Sequence, residues 1–428
     1  MIRLYYSPIP RARTRREQTA KTTTQRDAPK SMNLSDNARV LLMKTTKVSE
    51  LERERTARRK VLTLEHNDTL GSALETLKKH NILSAPVVIT ADALDTHLPD
   101  VDTNDAPLDT LVGFFDVRDA VAALMGAVSS SPEVDENHEH SMLFWMRAIE
   151  RVEKEIVDTP LIKIVGYDSE LMYTPNASAT SVYDLIVQGF FGGGERSIVH
   201  RVVLFEANGS LSRMVSQTDV VEWLAVHDCK LPHSLETRTI RELGFGSDRR
   251  RADFVQVDAS APTIECFRTL SKCNVSGAAV VDGNGRVIGD ITSADLRSLT
   301  REHFSVVGLP VAEFIALMHG TSYAGYAVGD ETRKFTSAFF EKSRSFKRER
   351  LAIDPRRAHE LGKDDDRAGV FTVTLDDEFR YDWFSKLNKQ RVYVVEETGE
   401  IPIDVITLTD VLECATFGRV KVGEHRHR

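Results

Sequence analysis

Short runs of Val, Ile and Leu punctuate this chain, and between them lie longer stretches whose apolar positions recur every three and four residues. The first pattern predicts buried strands and the second amphipathic helices. The two alternate in the same order four times. Strand, helix and strand are expected at 61–64, 70–80 and 85–89, then at 171–173, 181–190 and 200–205. The order returns at 254–257, 263–273 and 278–281, and again at 370–375, 379–387 and 391–395. A third strand and a second helix complete each unit. A repeat of this size implies units that bury their apolar faces against one another. Asn208-Gly209 and Asn284-Gly285 supply hairpin turns between the second and third strands, with Thr398-Gly399 in the equivalent place. In the first unit an acidic, proline-containing insertion, 90–109, replaces the turn and reads as a surface loop.

The junction of third strand and second helix carries the candidate chemistry. It reads Val215-Ser216-Gln217-Thr218-Asp219, Ile291-Thr292-Ser293-Ala294-Asp295 and Ile406-Thr407-Leu408-Thr409-Asp410, with a degenerate copy, Phe115-Asp116-Val117-Arg118-Asp119. A hydroxyl and a carboxylate three residues apart at such a turn suit a sugar phosphate. The carboxylate accepts from both ribose hydroxyls, while the hydroxyl and the helix N-terminus face the phosphate. The same spacing is also an ordinary capping box, worth about 1 kcal/mol to a helix. Capping and binding are compatible, and four copies within a longer repeat favour a ligand role.

Composition narrows the classes. With 428 residues, 41% hydrophobic and 28% charged, the chain has globular character and room for two or three domains. A net charge of −8 argues against nucleic acid as a partner. No apolar run approaches the roughly 18 residues that span a bilayer, so no membrane partner is expected. Cys229, Cys266, Cys273 and Cys414 lack CxxC spacing and read as small buried thiols in a reducing compartment, the cytoplasm or nucleus ahead of the mitochondrion. The first 30 residues carry eight Lys or Arg against Glu17 and Asp27. Pro8 and Pro10 interrupt the apolar face a transit peptide needs, so a disordered basic arm over 1–45 is expected.

His138-Glu139-His140 and His425-Arg426-His427 fall in polar, flexible-looking segments, and no metal site is expected. Gly192-Gly193-Gly194 is followed by no Lys-Ser or Lys-Thr and is not a phosphate loop. No nucleophile elbow, zinc-helix motif or kinase signature is present, which points to a regulatory chain and not an enzyme. The basic stretch 342–357 reads as a solvated face.

The repeats and their Asp motifs resemble a tandem of four CBS domains, over about 60–416. The resemblance implies an α/β fold in which units of small sheets and helices pair, one with two and three with four, as two Bateman modules in a pseudo-symmetric disc. The units fall at 58–126, 159–228, 239–301 and 368–417, with 302–367 as an insertion or linker and 418–428 as a tail. The tract Ser197-Ile198-Val199-His200-Arg201-Val202-Val203 resembles the gamma subunits of the AMP-activated and sucrose-non-fermenting kinases, where His-Arg contacts nucleotide phosphates. The fourth unit has Gln390-Arg391 in the same place, and the first has Leu83 where gamma subunits often place Arg.

That resemblance implies ribose contacts at Asp219, Asp295, Asp410 and Asp119, and phosphate or hydroxyl contacts at His200, Arg201, Arg391, Ser216, Thr292 and Thr407. It implies AMP, ADP and ATP as regulatory ligands, no other cofactor, and the alpha and beta subunits of a Ser/Thr kinase as partners. Asp116 stands where the other motifs have a hydroxyl and would repel a phosphate. The alternative is a free-standing protein of the same repeats that binds an adenosyl ligand, S-adenosylmethionine included, and regulates another partner, or a scaffold without a ligand.

Overall fold

The computed structural model of the chain describes residues 34–51, 61–90, 109–130, 142–165, 178–192, 198–205, 211–231, 234–298, 304–319, 370–385, 390–397 and 401–420. The expected strand at 171–173, the turns at 208–209 and 398–399, Gly193 and Gly194, the basic stretch 342–357 and the histidines 138, 140, 425 and 427 lie outside them. So does nearly all of the 90–109 insertion, between the paired ends Thr90 and Asp109.

An N-terminal helix, α1 (Leu34–Thr45), precedes the repeats. The first unit is β1 (Leu64–Glu65), α2 (Leu70–His80), β2 (Ser84–Thr90), β3 (Asp109–Asp116) and α3 (Val117–Ser129), followed by α4 (Met142–Val157). The second holds α5 (Val182–Asp184), which runs on as a π-helical turn over Leu185–Phe190, then β4 (Arg201–Phe205), β5 (Leu211–Ser216) and α6 (Gln217–His227). After a short α7 (Asp248–Ala252) the third unit has β6 (Gln256–Asp258), α8 (Thr263–Lys272), β7 (Gly277–Val281) and β8 (Val287–Thr292). A 3-10 segment, Ser293–Ser298, stands there in place of the expected second α-helix. Helix α9 (Val311–His319) precedes the fourth unit, β9 (Thr372–Val373), α10 (Asp382–Ser385), β10 (Arg391–Val395), β11 (Pro402–Thr407) and α11 (Leu408–Phe417). In units one, three and four the first strand is parallel to the second, and the second antiparallel to the third.

Local chemistry accounts for these elements. The Thr69 hydroxyl accepts from the Ser72 N–H to start α2, and Asn81, at φ 54°, ends it. Between them Leu70, Ala73, Leu74 and Leu77 form the buried stripe. In the third unit Gly285 takes φ +78° at the predicted hairpin, where a side chain would be strained. The predicted helical positions of Trp223 and Trp383 hold, on α6 and α10.

The units assemble through two kinds of contact. Helical faces of units one and three share one apolar core, with α4 and the segment Phe304–Gly308 built into it. Units two and four share another. Strands of units three and four meet through Ala279, Val287, Tyr393 and Val395, and Tyr393 donates to Asp290 across that seam at 2.5 Å. Units one and two are joined by an ion pair, Arg201 to Asp116. Burying a side chain such as Leu124 or Phe314 contributes roughly 1.5–3 kcal/mol.

Two expectations are corrected. The arm expected to be disordered to residue 45 gives way to α1 from residue 34. Val40 and Met43 are buried in the core of units two and four, and the cost of burying Arg39 is offset by an ion pair with Asp228 at 2.5 Å. Asp228 is fully buried and also accepts from the Ser234 hydroxyl, the Leu235 N–H and the Tyr381 hydroxyl. The second correction concerns 302–367. Its first part is core, since Phe304, Val306, Val307, Val311, Phe314 and Ile315 are buried. Of the cysteines, Cys266 and Cys414 are buried, and burial pushes the Cys266 thiol up to about 12; Cys229 is exposed.

Candidate functional site

Strand register places the site. In every unit the last residue of the third strand faces the second strand at one level: Ser84 opposite Asp116, Arg201 opposite Ser216, Gly277 opposite Thr292 and Arg391 opposite Thr407. The residues just before those second-strand positions are Leu83, His200, Ser276 and Gln390. The helix-start N–H groups of Val117, Gln217 and Ser293 donate to the carbonyls of Leu83, His200 and Ser276 at 3.0–3.1 Å. These equivalent positions from all four units line one central cavity of about 130 Å³. That is room for about four waters or for phosphate groups. The predicted convergence of the four motifs on a common centre is thus observed.

The carboxylates lie behind this rim. One oxygen of Asp219 accepts from the Ser216 N–H and hydroxyl at 2.7 and 2.5 Å. Asp295 does the same with Thr292 at 2.7 and 3.0 Å, and Asp410 with Thr407 at 2.8 and 2.6 Å. A hydroxyl carries one proton. With it committed to the carboxylate, Ser216, Thr292 and Thr407 present lone pairs rather than a donor to any anion in the cavity. In the degenerate first motif Asp119 accepts from the Asp116 N–H at 2.7 Å, and Asp116 accepts from the Arg118 N–H at 2.9 Å.

Cations dominate the cavity wall, with Arg118, Arg201 and Arg391 against Asp116. Arg201 donates to Asp116 at 2.9 Å, and Arg118 lies 3.5 Å from the same carboxylate. Burial lowers the Arg201 pKa, which Asp116 opposes and Arg118 reinforces. The guanidinium stays charged. His200 is neutral, because burial and the charges of Arg118 and Arg201 depress its pKa to about 3. Arg391 is buried, donates to the Ser276 hydroxyl at 2.6 Å and lies 3.8 Å from Asp290. It passes over Gly277, where an added Cβ would sit 2.5 Å from the guanidinium carbon. Thr409 donates to the Gln217 side-chain carbonyl at 3.0 Å, tying unit four to unit two beside the cavity.

One functional neighbour is absent from the sequence reading. Arg250, on α7, donates to the second oxygen of Asp410 at 2.9 Å, to Asp404 at 2.7 Å and to the Val405 carbonyl at 2.9 Å. Its guanidinium lies 4.6 Å from the Phe245 ring centre. Burial works to lower its pKa, but Asp410 and Asp404 together outweigh burial and raise it. The only sequence signal was the triplet Arg249-Arg250-Arg251 just before the first strand of the third unit.

A family model, the CBS domain, matches residues 248–302. The protein sds23 of Neosartorya fischeri is 28% identical over 200 residues, 45% of this chain and 34% of that protein. The protein sds23 of Aspergillus clavatus is 27% identical over 213 residues, 49% and 38% respectively. A CBS domain-containing protein of Dictyostelium discoideum is 28% identical over 102 residues, 24% of this chain and 69% of that one. The chain therefore spans little more than a third of the length of these sds23 proteins. Among solved structures, a Methanocaldococcus jannaschii protein described as a candidate archaeal homologue of the AMP-activated kinase gamma subunit covers 86% of this chain and 99% of its own, at 18% identity and a TM-score of 0.49. A CBS domain is present, and the fold is one of CBS repeats.

Proposed function

We propose that this chain is a free-standing regulatory protein of CBS repeats that takes an adenosyl ligand at the rim and directs its phosphates into the central cavity. The observation that carries the reading is the convergence of Arg118, Arg201 and Arg391, with His200, on one cavity ringed by the four motifs. Charged donors in a half-buried site grip phosphate oxygens well. Ribose contact is assigned to Asp219 and Asp295, with Asp119 behind them. The adenosyl part would contact every ligand alike, so phosphate number is what distinguishes AMP, ADP and ATP. The kinase-subunit reading takes second place. The relatives found by sequence are sds23 and CBS domain-containing proteins, and what favours a gamma-like role is the His200-Arg201 pair at the centre.

The test is a calorimetric titration of the purified chain with AMP, ADP, ATP, adenosine and S-adenosylmethionine, with mass spectrometry of co-purifying proteins. Micromolar binding, roughly −7 to −8 kcal/mol, is expected for at least one adenine nucleotide. No binding at millimolar ligand sinks the reading. Recovery of kinase alpha and beta subunits at equal stoichiometry would restore the kinase-subunit reading.

A further inference from the structure

The inference rests on the adenosyl reading and concerns the fourth unit. There the motif is intact, and a ribose diol would need the Asp410 oxygen that does not cap the helix. One oxygen of Asp410 is held by the Thr407 N–H and hydroxyl. The other receives the Arg250 guanidinium at 2.9 Å. Arg250 and Asp410 are 4% exposed and Asp404 is fully buried. Asp404 has its own partners besides Arg250, the N–H groups of Gly246 and Val405, both at 2.8 Å. Gly246 holds φ +72° against the Leu375 side chain, so the segment leading into α7 is braced from two sides.

We propose that Arg250 is a tethered occupant of the fourth pocket, closing it to adenosyl ligands and thereby setting how many sites the chain has. The physical reason is asymmetric replacement. A diol offers neutral donors, whereas the guanidinium it would displace makes charge-assisted hydrogen bonds to two carboxylates and a carbonyl. Moving Arg250 aside would also leave Asp404 buried without its cation, an arrangement folded proteins avoid. The Asp410 motif therefore serves the junction between α7 and the fourth unit, although its sequence is a sound ligand motif.

Equilibrium dialysis with labelled AMP and with labelled adenosine tests this on the full chain, comparing the parent, Asp410→Asn, Arg250→Gln and the charge-balanced double variant Arg250→Gln with Asp404→Asn. The expected result is the same stoichiometry, and affinity within about twofold, for Asp410→Asn and the parent. Arg250→Gln or the double variant should gain one site. Loss of a site in Asp410→Asn overturns the proposal, as does a folded Arg250 variant with the parent's stoichiometry. Should neither Arg250 variant fold, the Asp410→Asn comparison decides alone. A site gained by an Arg250 variant of a parent that binds nothing would support the closed pocket while refuting the adenosyl reading. No binding in any form overturns both.

Discussion

Units two and four make an instructive pair. Each presents Arg at the start of its second strand, a capping hydroxyl opposite it, and Asp three residues further on. Their surroundings differ. In unit two, Arg201 answers a carboxylate from unit one, and its neighbour His200 is neutral. In unit four, Arg391 answers a hydroxyl from unit three, and the motif Asp is locked by Arg250. The lesson is that the motif guarantees only a hydroxyl bonded to a carboxylate at the rim. What the remaining carboxylate oxygen and the arginine do is decided by residues from other units.

The comparison can be broken at its energetic extreme. Arg250→Ala should cost about 3–5 kcal/mol in urea unfolding, because it strands Asp404 and Asp410 in the interior. Arg201→Ala should cost less, since Arg118 stays beside Asp116 and neither partner is as deeply buried as Asp404. Equal losses would mean that the two arginines play one structural role. Next in size is the contrast between motifs. Asp219→Ala should weaken AMP binding about tenfold, equivalent to one hydrogen-bond acceptor, and by more than Asp119→Ala does. Calorimetry that ranks them the other way refutes the assignment of ribose to unit two.

A smaller effect sharpens the charge difference between modules. Asp116→Ser converts the first motif to the form of the others and releases Arg201 from its ion pair. Binding of tripolyphosphate and ATP should tighten by a few fold, with adenosine unchanged. An equal gain for adenosine would show that the effect is not electrostatic.

pH dependence sets unit two apart in a further way. His200 stays unprotonated in the fold down to about pH 3, whereas in the unfolded chain it takes up a proton below about 6.5. Its contribution to stability is thus present above pH 6.5 and is lost progressively as pH falls toward 3, by at most about 1.4 kcal/mol per unit. His200→Gln should flatten the slope of unfolding free energy over that window. An unchanged slope would show that His200 already titrates in the fold.

Much of this was legible along the chain because it is local. The capped junctions are written within four residues, so Ser216 with Asp219 and Thr407 with Asp410 could be read directly. The apolar stripe of α2 is likewise periodic. What stayed hidden is pairing at long range. Arg250 meets Asp404 and Asp410 across 154 and 160 residues, and nothing in a triplet of arginines says which of them turns inward. His200 is neutral because burial, reinforced by Arg118 from another unit and by Arg201, depresses its pKa. The basic composition of the first 30 residues coloured the reading of α1, whose Val40 and Met43 mark an apolar face too short to stand out as a period. The 3-10 segment after β8 follows a motif identical in kind to those that begin α-helices, and we have no local account of the difference.

The buried carboxylate of Asp228 bears on how the molecule can be taken apart. Four pieces of chain are moored to it: α1 through Arg39, the end of unit two that carries it, the linker through Ser234 and Leu235, and the last unit through Tyr381. Scissors placed at the repeat borders would therefore cut a knot and not a seam. A fragment begun at residue 58 would keep the acid and lose its arginine, and one ended at residue 301 would lose the tyrosine. The two modules are better handled as a single inseparable piece, with the helix before them as its fastening.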